Sequence, residues 1–254
     1  MSDVLLIDVV DGVQVMTINR PEVKNAANYE LAVAFEAAIG ELERNDNLRV
    51  GIVTGAGGNF CTGMDLKGFL AGQRPTIPGK GFCALTEYSP KKPIIAAIEG
   101  YALAGGFELA LSADLIVAAD NAKFGLPEVK RGLVAAAGGL IKLPQRLPYH
   151  IAMEHVLTGD MFTAQQASQY GLINRLAEPG KALEVAMELA RKLVKNAPLA
   201  LSASKTIMQK TRTLDLALAF DVQRSISVPL FQSEDAKEGA QAFAEKREPV
   251  WRNR

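Results

Sequence analysis

Residues 94–110 read IIAAIEGYALAGGFELA and combine a strand pattern, a turn and the start of a helix. Ile94–Ile98 is a short apolar run, which is typical of a strand buried on both faces. After a turn, Ala102–Ala113 mixes Gly105 and Gly106 with good helix formers. We therefore predict a buried strand that passes through a glycine turn into a helix.

The same order of elements occurs earlier in the chain. Val50–Thr54 is a short apolar strand pattern, the glycine-rich residues 55–58 follow it, and residues 59–66 read NFCTGMDL. Leu115–Ala119 predicts a further strand after the second unit. Repeated strand, glycine turn and helix favour an α/β fold whose functional site lies where strands lead into helices.

The remaining segments predict a hairpin at the front and a helical region at the back. Val4–Val10 and Val13–Ile18 are joined through Asp11 and Gly12, a hairpin signal, and Asn28 is a candidate N-cap for a helix that runs to about residue 45. From about residue 148 the pattern is mostly helical, and only Leu172–Leu176 is predicted to be extended. We assign residues 1–197 to a core with the active site and 198–254 to a helical assembly region.

Composition excludes whole classes of partner. The 254 residues carry 28 basic and 28 acidic side chains, so no basic surface for nucleic acid is expected. No uncharged apolar stretch approaches the ~18 residues of a membrane span, and the opening residues lack a basic leader pattern. We expect a cytoplasmic protein with no nucleic-acid or membrane partner.

Most common catalytic devices are also missing from the sequence. Phe60 occupies the third glycine position of a dinucleotide fingerprint, and Lys80 is not in a phosphate-binding loop. No serine lies in a nucleophile elbow, and we predict no metal site because the two cysteines and two histidines show no ligand spacing. Carboxylates and backbone dipoles remain, and Glu108 and Glu128 follow the glycine turns.

The order and spacing of these motifs resemble the enoyl-CoA hydratase/isomerase family, the crotonase superfamily, over nearly the whole chain. The resemblance rests on residues 60–66 and 102–110, on Phe124-Gly-Leu-Pro-Glu128, and on further matches at both ends, such as Asn19-Arg-Pro at the front and residues 238–249 at the back. It implies a crotonase-like spiral of ββα units with a C-terminal helical trimerisation domain. It also implies a homotrimer or homohexamer.

The resemblance further implies the active site. The N–H groups of Met64 and Gly105 would form an oxyanion hole for a thioester oxygen, and Glu108 and Glu128 would move protons. Positions expected to contact coenzyme A are Lys24, Ala26, Cys61, Gly63, Asp65, Leu66, Lys67, Phe243 and Lys246, the last two reaching a neighbouring subunit's ligand. Coenzyme A is part of the substrate, so no separate cofactor is expected.

Two glutamates favour an enoyl-CoA hydratase, which adds water across the 2,3 double bond of a 2-enoyl-CoA. An isomerase or a carnitinyl-CoA-type dehydratase of the same superfamily is the alternative, and a non-catalytic CoA-binding scaffold is a third. Met64 is bulkier than the alanine common in hydratases, and Ala135 stands where many relatives carry proline. The sequence leaves the length and functional groups of the acyl chain open.

Overall fold

The computed structural model describes residues 4–254, which form an α/β protein. The strands are β1 (Leu5–Val10), β2 (Val13–Ile18), β3 (Val50–Gly55), β4 (Thr76–Ile77), β5 (Gly81–Phe82), β6 (Ile94–Ile98), β7 (Tyr101–Leu103), β8 (Leu115–Ala119), β9 (Lys123–Gly125), β10 (Phe162–Thr163) and β11 (Arg175–Ala177). The helices are α1 (Tyr29–Arg44), α2 (Leu66–Leu70), α3 (Gly105–Ala110), α4 (Gly139–Lys142), α5 (Tyr149–Thr158), α6 (Ala164–Gln169), α7 (Ala182–Val194), α8 (Pro198–Thr211), α9 (Leu216–Leu230) and α10 (Glu234–Glu245). Short 3-10 helices cover Pro21–Val23, Pro127–Arg131 and Leu143–Gln145.

Local signals at the front of the chain are confirmed. β1 and β2 form an antiparallel hairpin around Asp11 and Gly12. The side chain of Asn28 accepts a hydrogen bond from the Leu31 N–H at 3.0 Å, which satisfies a free donor at the start of α1. The buried side chains of α1 recur at helical spacing, so one face of this helix packs on the core.

The two main sheets are extended together by successive strand–strand units, whose strands pair in parallel. The larger sheet has the order β1-β2-β3-β6-β8-β11, and a three-stranded sheet has the order β10-β9-β7. The chain passes from β6 to β7 and then α3, and next from β8 to β9 and the 3-10 helix Pro127–Arg131. Because β6 pairs with β8 and β7 with β9, both in parallel, each turn adds one strand to each sheet. This is the expected spiral of strand–strand–helix units.

One sequence prediction of element type was wrong, and one strand was predicted with shifted bounds. Ala102 and Leu103 were expected in a helical segment, but they lie in β7, where Ala102 pairs with Phe124 of β9 and bridges to Cys61. The extended segment predicted at Leu172–Leu176 is confirmed as a strand, but the strand covers Arg175–Ala177, where it pairs with β8. At Ala102 and Leu103, pairing with a strand distant in sequence overrides local propensity.

Three phenylalanines fasten the elements that carry the two glutamates. Phe107 of α3 packs on Phe124 of β9 with ring centroids 5.5 Å apart, and both pack on Phe162 of β10 at 5.6 and 5.7 Å. All three side chains are fully buried. Aromatic clusters of this kind contribute packing energy beyond their buried area and hold α3 against the smaller sheet.

The C-terminal helices begin at Pro198 and contact the rest of the chain through specific bonds. The Lys205 Nζ pairs with Asp114 at 2.6 Å, and the Trp251 indole N–H donates to the Lys195 carbonyl at 2.8 Å. The division at residue 198 stays a prediction. Across residues 4–254, none of the helices is long and apolar enough to cross a membrane.

Candidate active site

A cavity of about 930 Å³ opens where the glycine turns of the two parallel units meet. Eight of the residues proposed from the sequence line it: Ala26, Met64, Asp65, Leu66, Lys67, Gly105, Glu108 and Glu128. These residues come from four separate segments of the chain, and folding brings them to one place.

Two backbone donors in the cavity wall make no hydrogen bond to any residue from 4 to 254. Ala27 donates to the Gly63 carbonyl at 2.7 Å and Asp65 donates to the Ala27 carbonyl at 2.8 Å, so the backbone on both sides of Met64 is held in place. Gly105 begins α3, where helix geometry offers its N–H no partner. Within residues 4–254, the N–H groups of Met64 and Gly105 therefore remain available to a ligand oxygen.

The two turns approach each other too closely for side chains. A Cβ on Gly63 would lie 2.8 Å from the Ala104 Cβ and 3.1 Å from the Gly105 nitrogen. A Cβ on Gly105 would lie 2.8 Å from the ring of Phe82, which covers this turn. Ala104 has the strained positive φ of 50°, which turns the chain from β7 into α3. The contacts fix the Gly105 donor in position.

Glu108 is held rigidly by backbone donors. Its side chain is buried, and its Oε1 accepts hydrogen bonds from the N–H groups of Ala137 and Gly139, each at 2.8 Å. Burial raises the pKa of the Glu108 carboxyl, although these two donors and the nearby Lys142 charge oppose the rise. One oxygen is thus occupied by the protein, which leaves Oε2 for chemistry.

Glu128 has a different environment. It lies in the 3-10 helix Pro127–Arg131 rather than in the loop that the sequence suggested. Its Oε2 is buried and, within the described part of the chain, has no hydrogen-bond partner. Burial raises the pKa of Glu128 to about 7, against a smaller lowering by its own backbone N–H, and the charge of Glu108 adds to the rise. A carboxyl with this pKa can both give and take a proton near neutral pH.

Charged side chains surround the cavity mouth. Arg20 pairs with Asp65 at 3.0 Å and also donates to the Ala26 carbonyl, which links the segment that contains Met64 to the segment that contains Ala26. Burial alone would raise the pKa of Asp65, but hydrogen bonds from Arg20 and from the backbone hold it below its ordinary value. On the other side of the mouth, Lys130 pairs with Asp160 at 2.5 Å.

Five proposed residues lie outside the cavity lining. Cys61 and Gly63 are buried behind it, and burial raises the pKa of the Cys61 thiol to about 12. The Lys24 Nζ lies 5.1 Å from the centre of the Tyr101 ring. Phe243 and Lys246, at the end of α10, are exposed, Phe243 to 87%. Contacts from these two to coenzyme A would require a second subunit and stay predictions.

Several residues in or near the cavity were not assigned from the sequence. Phe69 and Phe82 line the cavity, whereas Leu85 belongs to the buried core. The donors to Glu108 come from a turn whose glycines, 138 and 139, were visible in the sequence, but nothing local indicated their partner. Lys142 gave no sequence signal at all.

The two-sheet spiral and the site between its glycine turns define the chain as an α/β enzyme of the crotonase fold class. The sequence profile of the Enoyl-CoA hydratase/isomerase family matches residues 8–254. The chain therefore belongs to the enoyl-CoA hydratase/isomerase family.

Individual relatives narrow the class of reaction. The chain is 44% identical over 246 residues to a carnitinyl-CoA dehydratase of Salmonella arizonae, covering 93% of this chain and 94% of the relative. It matches the crystal structure of an enoyl-CoA hydratase from Mycobacterium marinum with 51% identity and a TM-score of 0.97, with both chains covered completely. A carnitinyl-CoA hydratase from Mycobacterium avium matches at 40% identity, full coverage of both chains and a TM-score of 0.80. Relatives named as hydratases and dehydratases support a lyase.

Proposed function

We propose that this protein catalyses the reversible addition of water to the 2,3 double bond of a 2-enoyl-CoA thioester. The observation that carries the proposal is the pairing of two unequal carboxylates with two free backbone donors in one cavity. Glu108 has one oxygen bound by backbone donors. The buried Oε2 of Glu128 has no hydrogen-bond partner among the described residues, and the pKa of Glu128 is about 7. Unequal environments of this kind separate the acid and base roles of two carboxyl groups.

In the proposed reaction the thioester oxygen accepts hydrogen bonds from the N–H groups of Met64 and Gly105. Charge that moves onto this oxygen during attack is stabilised by fixed dipoles, an effect of about 3–4 kcal/mol per donor in measured cases. Ionised Glu108 takes a proton from water as the water oxygen bonds to C3. Protonated Glu128 then gives its proton to C2, and the product carries the hydroxyl on C3 and the new hydrogen on C2.

After one turnover Glu108 holds the proton and Glu128 is ionised. The pair as a whole has neither gained nor lost a proton, so transfer between them through solvent restores the starting state. The raised pKa of Glu128 supports its role as the donor, because a carboxyl with an ordinary pKa would rarely be protonated at neutral pH.

The coenzyme A part of the substrate is assigned to the cavity mouth. Lys67 lines it and is exposed, which suits contact with phosphate, and Ala26 lies beside it. We assign Lys24 a weaker phosphate contact, since its ammonium lies over the Tyr101 ring. The proposal requires no cofactor besides the coenzyme A of the substrate.

A second candidate is dehydration of a carnitinyl-CoA, the same elimination on an acyl group that carries a quaternary ammonium. The relatives at 43–44% identity with that name support it. Glu87 also supports it: this carboxylate lines the cavity and, among the described residues, forms no ion pair or hydrogen bond through its side chain. A carboxylate in the cavity wall would attract a cationic substituent on a bound acyl group.

Separate Glu108→Gln and Glu128→Gln variants, assayed with crotonyl-CoA, test the main proposal. Each should lower kcat by about 100-fold or more, because general acid–base catalysis contributes about 10²–10⁴-fold. Glu188→Gln, an exposed position on α7, is the matched control and should keep normal turnover. Near-normal turnover in both active-site variants would exclude the acid–base assignment.

A substrate panel separates the alternatives. Water addition to crotonyl-CoA without conversion of 3-enoyl-CoA supports a hydratase, and the reverse supports an isomerase. A preference for 4-trimethylammonio-crotonyl-CoA that Glu87→Gln abolishes supports the carnitinyl type. Binding of acyl-CoA without any turnover supports a scaffold and contradicts the proposal.

We also propose that the chain assembles as a homotrimer or homohexamer. The C-terminal helices carry exposed apolar side chains, among them Leu216, Phe220 and Phe231, which a neighbouring subunit would cover. Light scattering coupled to size-exclusion chromatography tests this, and a monomeric mass would contradict it. The cytoplasmic location expected from the sequence stays a prediction.

A further inference from the structure

Lys142 closes α4 and makes two short hydrogen bonds below the cavity. Its Nζ donates to the Thr86 carbonyl and to the Ser112 Oγ, both at 2.6 Å. The Ser112 hydroxyl in turn donates to the backbone carbonyl of Glu108 at 2.7 Å. Lys142 is therefore connected through one hydroxyl group to the residue that the proposed function makes the base.

The other connections of Lys142 also lead to catalytic groups. The N–H of Gly139, at the opposite end of the same short helix, donates to the Glu108 carboxylate. Thr86 uses its Oγ1 to accept the Phe82 N–H at 2.8 Å, and the Phe82 ring lies against Gly105. One ammonium group thus joins the three segments that position the base and cover the oxyanion-hole turn.

The charges around Lys142 are few and can be named. Glu108 of α3 and Glu87 of the neighbouring loop favour its charged form, whereas burial and Arg146 disfavour it. Burial, followed by Arg146, lowers the pKa of Lys142 to about 8, so the side chain is still mostly charged at pH 7. The effect is mutual, because the cation in turn favours ionised Glu108. The charge of Glu108 disfavours the ionised form of Glu128.

We propose that Lys142 is a positioning residue that orients Glu108 and keeps its carboxylate ionised for proton abstraction. It does not act on the substrate, since it is absent from the cavity lining and two of its three ammonium hydrogens are used by Thr86 and Ser112. Its contribution is a fixed charge and a fixed geometry next to the base. The role in turnover rests on the proposed function of Glu108, but the first readout below does not.

The first test measures the titration of Glu108 without substrate. The protein is labelled with ¹³C at glutamate carboxyl carbons, and the Glu108→Gln spectrum identifies the Glu108 signal. In Lys142→Met, which removes the charge at similar side-chain length, the Glu108 midpoint should move to higher pH by about half a pH unit or more. In Lys142→Arg, which keeps the charge, it should stay near the wild-type value. An unchanged midpoint in Lys142→Met overturns the proposal.

The second test is kinetic. Lys142→Met should lower kcat for crotonyl-CoA hydration by about 10-fold at pH 7 and change KM by less than about threefold, because the coenzyme A contacts are untouched. In Lys142→Met, the acid-side fall of kcat/KM should move to higher pH. Lys142→Arg should recover most of the wild-type rate. Lys205→Met is the matched control: Lys205 is also a buried lysine with two hydrogen bonds, but its partners are Asp114 and the Lys92 carbonyl. The control should keep the wild-type pH profile.

If Lys142→Met does not fold, Ser112→Ala tests the positioning role of Lys142 instead. Ser112→Ala keeps the lysine and its charge but removes the link to the Glu108 carbonyl, so kcat should fall about threefold or more while the Glu108 midpoint stays in place. Normal kcat in folded Ser112→Ala would overturn the positioning role. If the wild-type protein hydrates no 2-enoyl-CoA, the proposed function fails, but the carboxyl titration still tests Lys142.

Discussion

The carboxylate of Glu108 lies directly against Gly139. Its Oε1 accepts the Gly139 N–H at 2.8 Å, and a Cβ on Gly139 would come within 3.0 Å of both the Cγ and the Oε1 of Glu108. The absence of a side chain at position 139 therefore lets the backbone reach the base. This contact joins two positions 31 residues apart in the sequence.

Gly139→Ala should displace the Glu108 carboxylate by a few tenths of an ångström. Small displacements of a positioned catalytic group are costly, so we expect kcat to fall about 10-fold or more with little change in KM. Steady-state kinetics on crotonyl-CoA measures this. Gly40→Ala is the control, because the atoms nearest to a methyl group there belong to the flexible end of Arg44 in α1, and this variant should leave kcat unchanged. Equal kcat values for the two variants would contradict the prediction.

The pH dependence of kcat/KM should be bell-shaped. Glu128 must be protonated to give a proton to C2, so the rate should fall as pH rises through about 7. On the acid side the rate should fall as Glu108 becomes protonated. Because hydration consumes no net proton, kcat/KM for dehydration must follow the same curve. The residual activity of Glu128→Gln should no longer fall as pH rises above about 7, which would assign this fall to deprotonation of Glu128. If the fall persists in the variant, the assignment is refuted.

Glu128 should also lower stability at alkaline pH. Its pKa is raised by burial from an ordinary value of 4.5 to about 7, so the folded protein holds this proton more tightly than the unfolded chain does. The free energy of unfolding therefore falls as pH rises between these two values. After allowance for water in the open cavity, the effect is about 1–2 kcal/mol.

Thermal unfolding of Glu128→Gln at pH 5 and pH 8 measures this effect. The difference in Tm between the variant and the wild type should be about 3–6 °C more favourable to the variant at pH 8 than at pH 5. Glu188→Gln, at an exposed position on α7, is measured alongside as the control. A gain for Glu128→Gln that does not depend on pH would mean that its carboxyl is not destabilised by burial.

Lys67 should contribute more to coenzyme A binding than Lys24. Lys67 lines the cavity, while the Lys24 ammonium lies over the Tyr101 ring. We expect Lys67→Met to raise KM by about 3- to 10-fold at low salt, Lys24→Met to raise it less, and the differences to shrink at higher ionic strength. Lys192→Met, exposed on α7, serves as the control. A KM for Lys67→Met equal to that of the control would remove Lys67 from the binding site.

Sequence reasoning predicted elements well where the signal was local. The hairpin at Asp11 and Gly12 and the helix start at Asn28 depend on turn geometry and on a cap three residues away. It failed at Ala102 and Leu103, because their strand conformation depends on pairing with β9 and on a bridge to Cys61. Short segments with mixed signals take the structure that distant partners impose.

By itself, the sequence determined the α/β class, the glycine turns, the two glutamates and the resemblance to one family. These depend on residue identity and spacing along the chain. The tertiary structure decided the environment of each glutamate. Glu108 is bound by the turn at Ala137 and Gly139, while the buried Oε2 of Glu128 has no hydrogen-bond partner in the part of the chain that the structure describes. The tertiary structure also placed Lys142 beneath the base. Burial, hydrogen-bond partners and neighbouring charges set the pKa of a carboxyl, and all three come from residues that are distant in sequence.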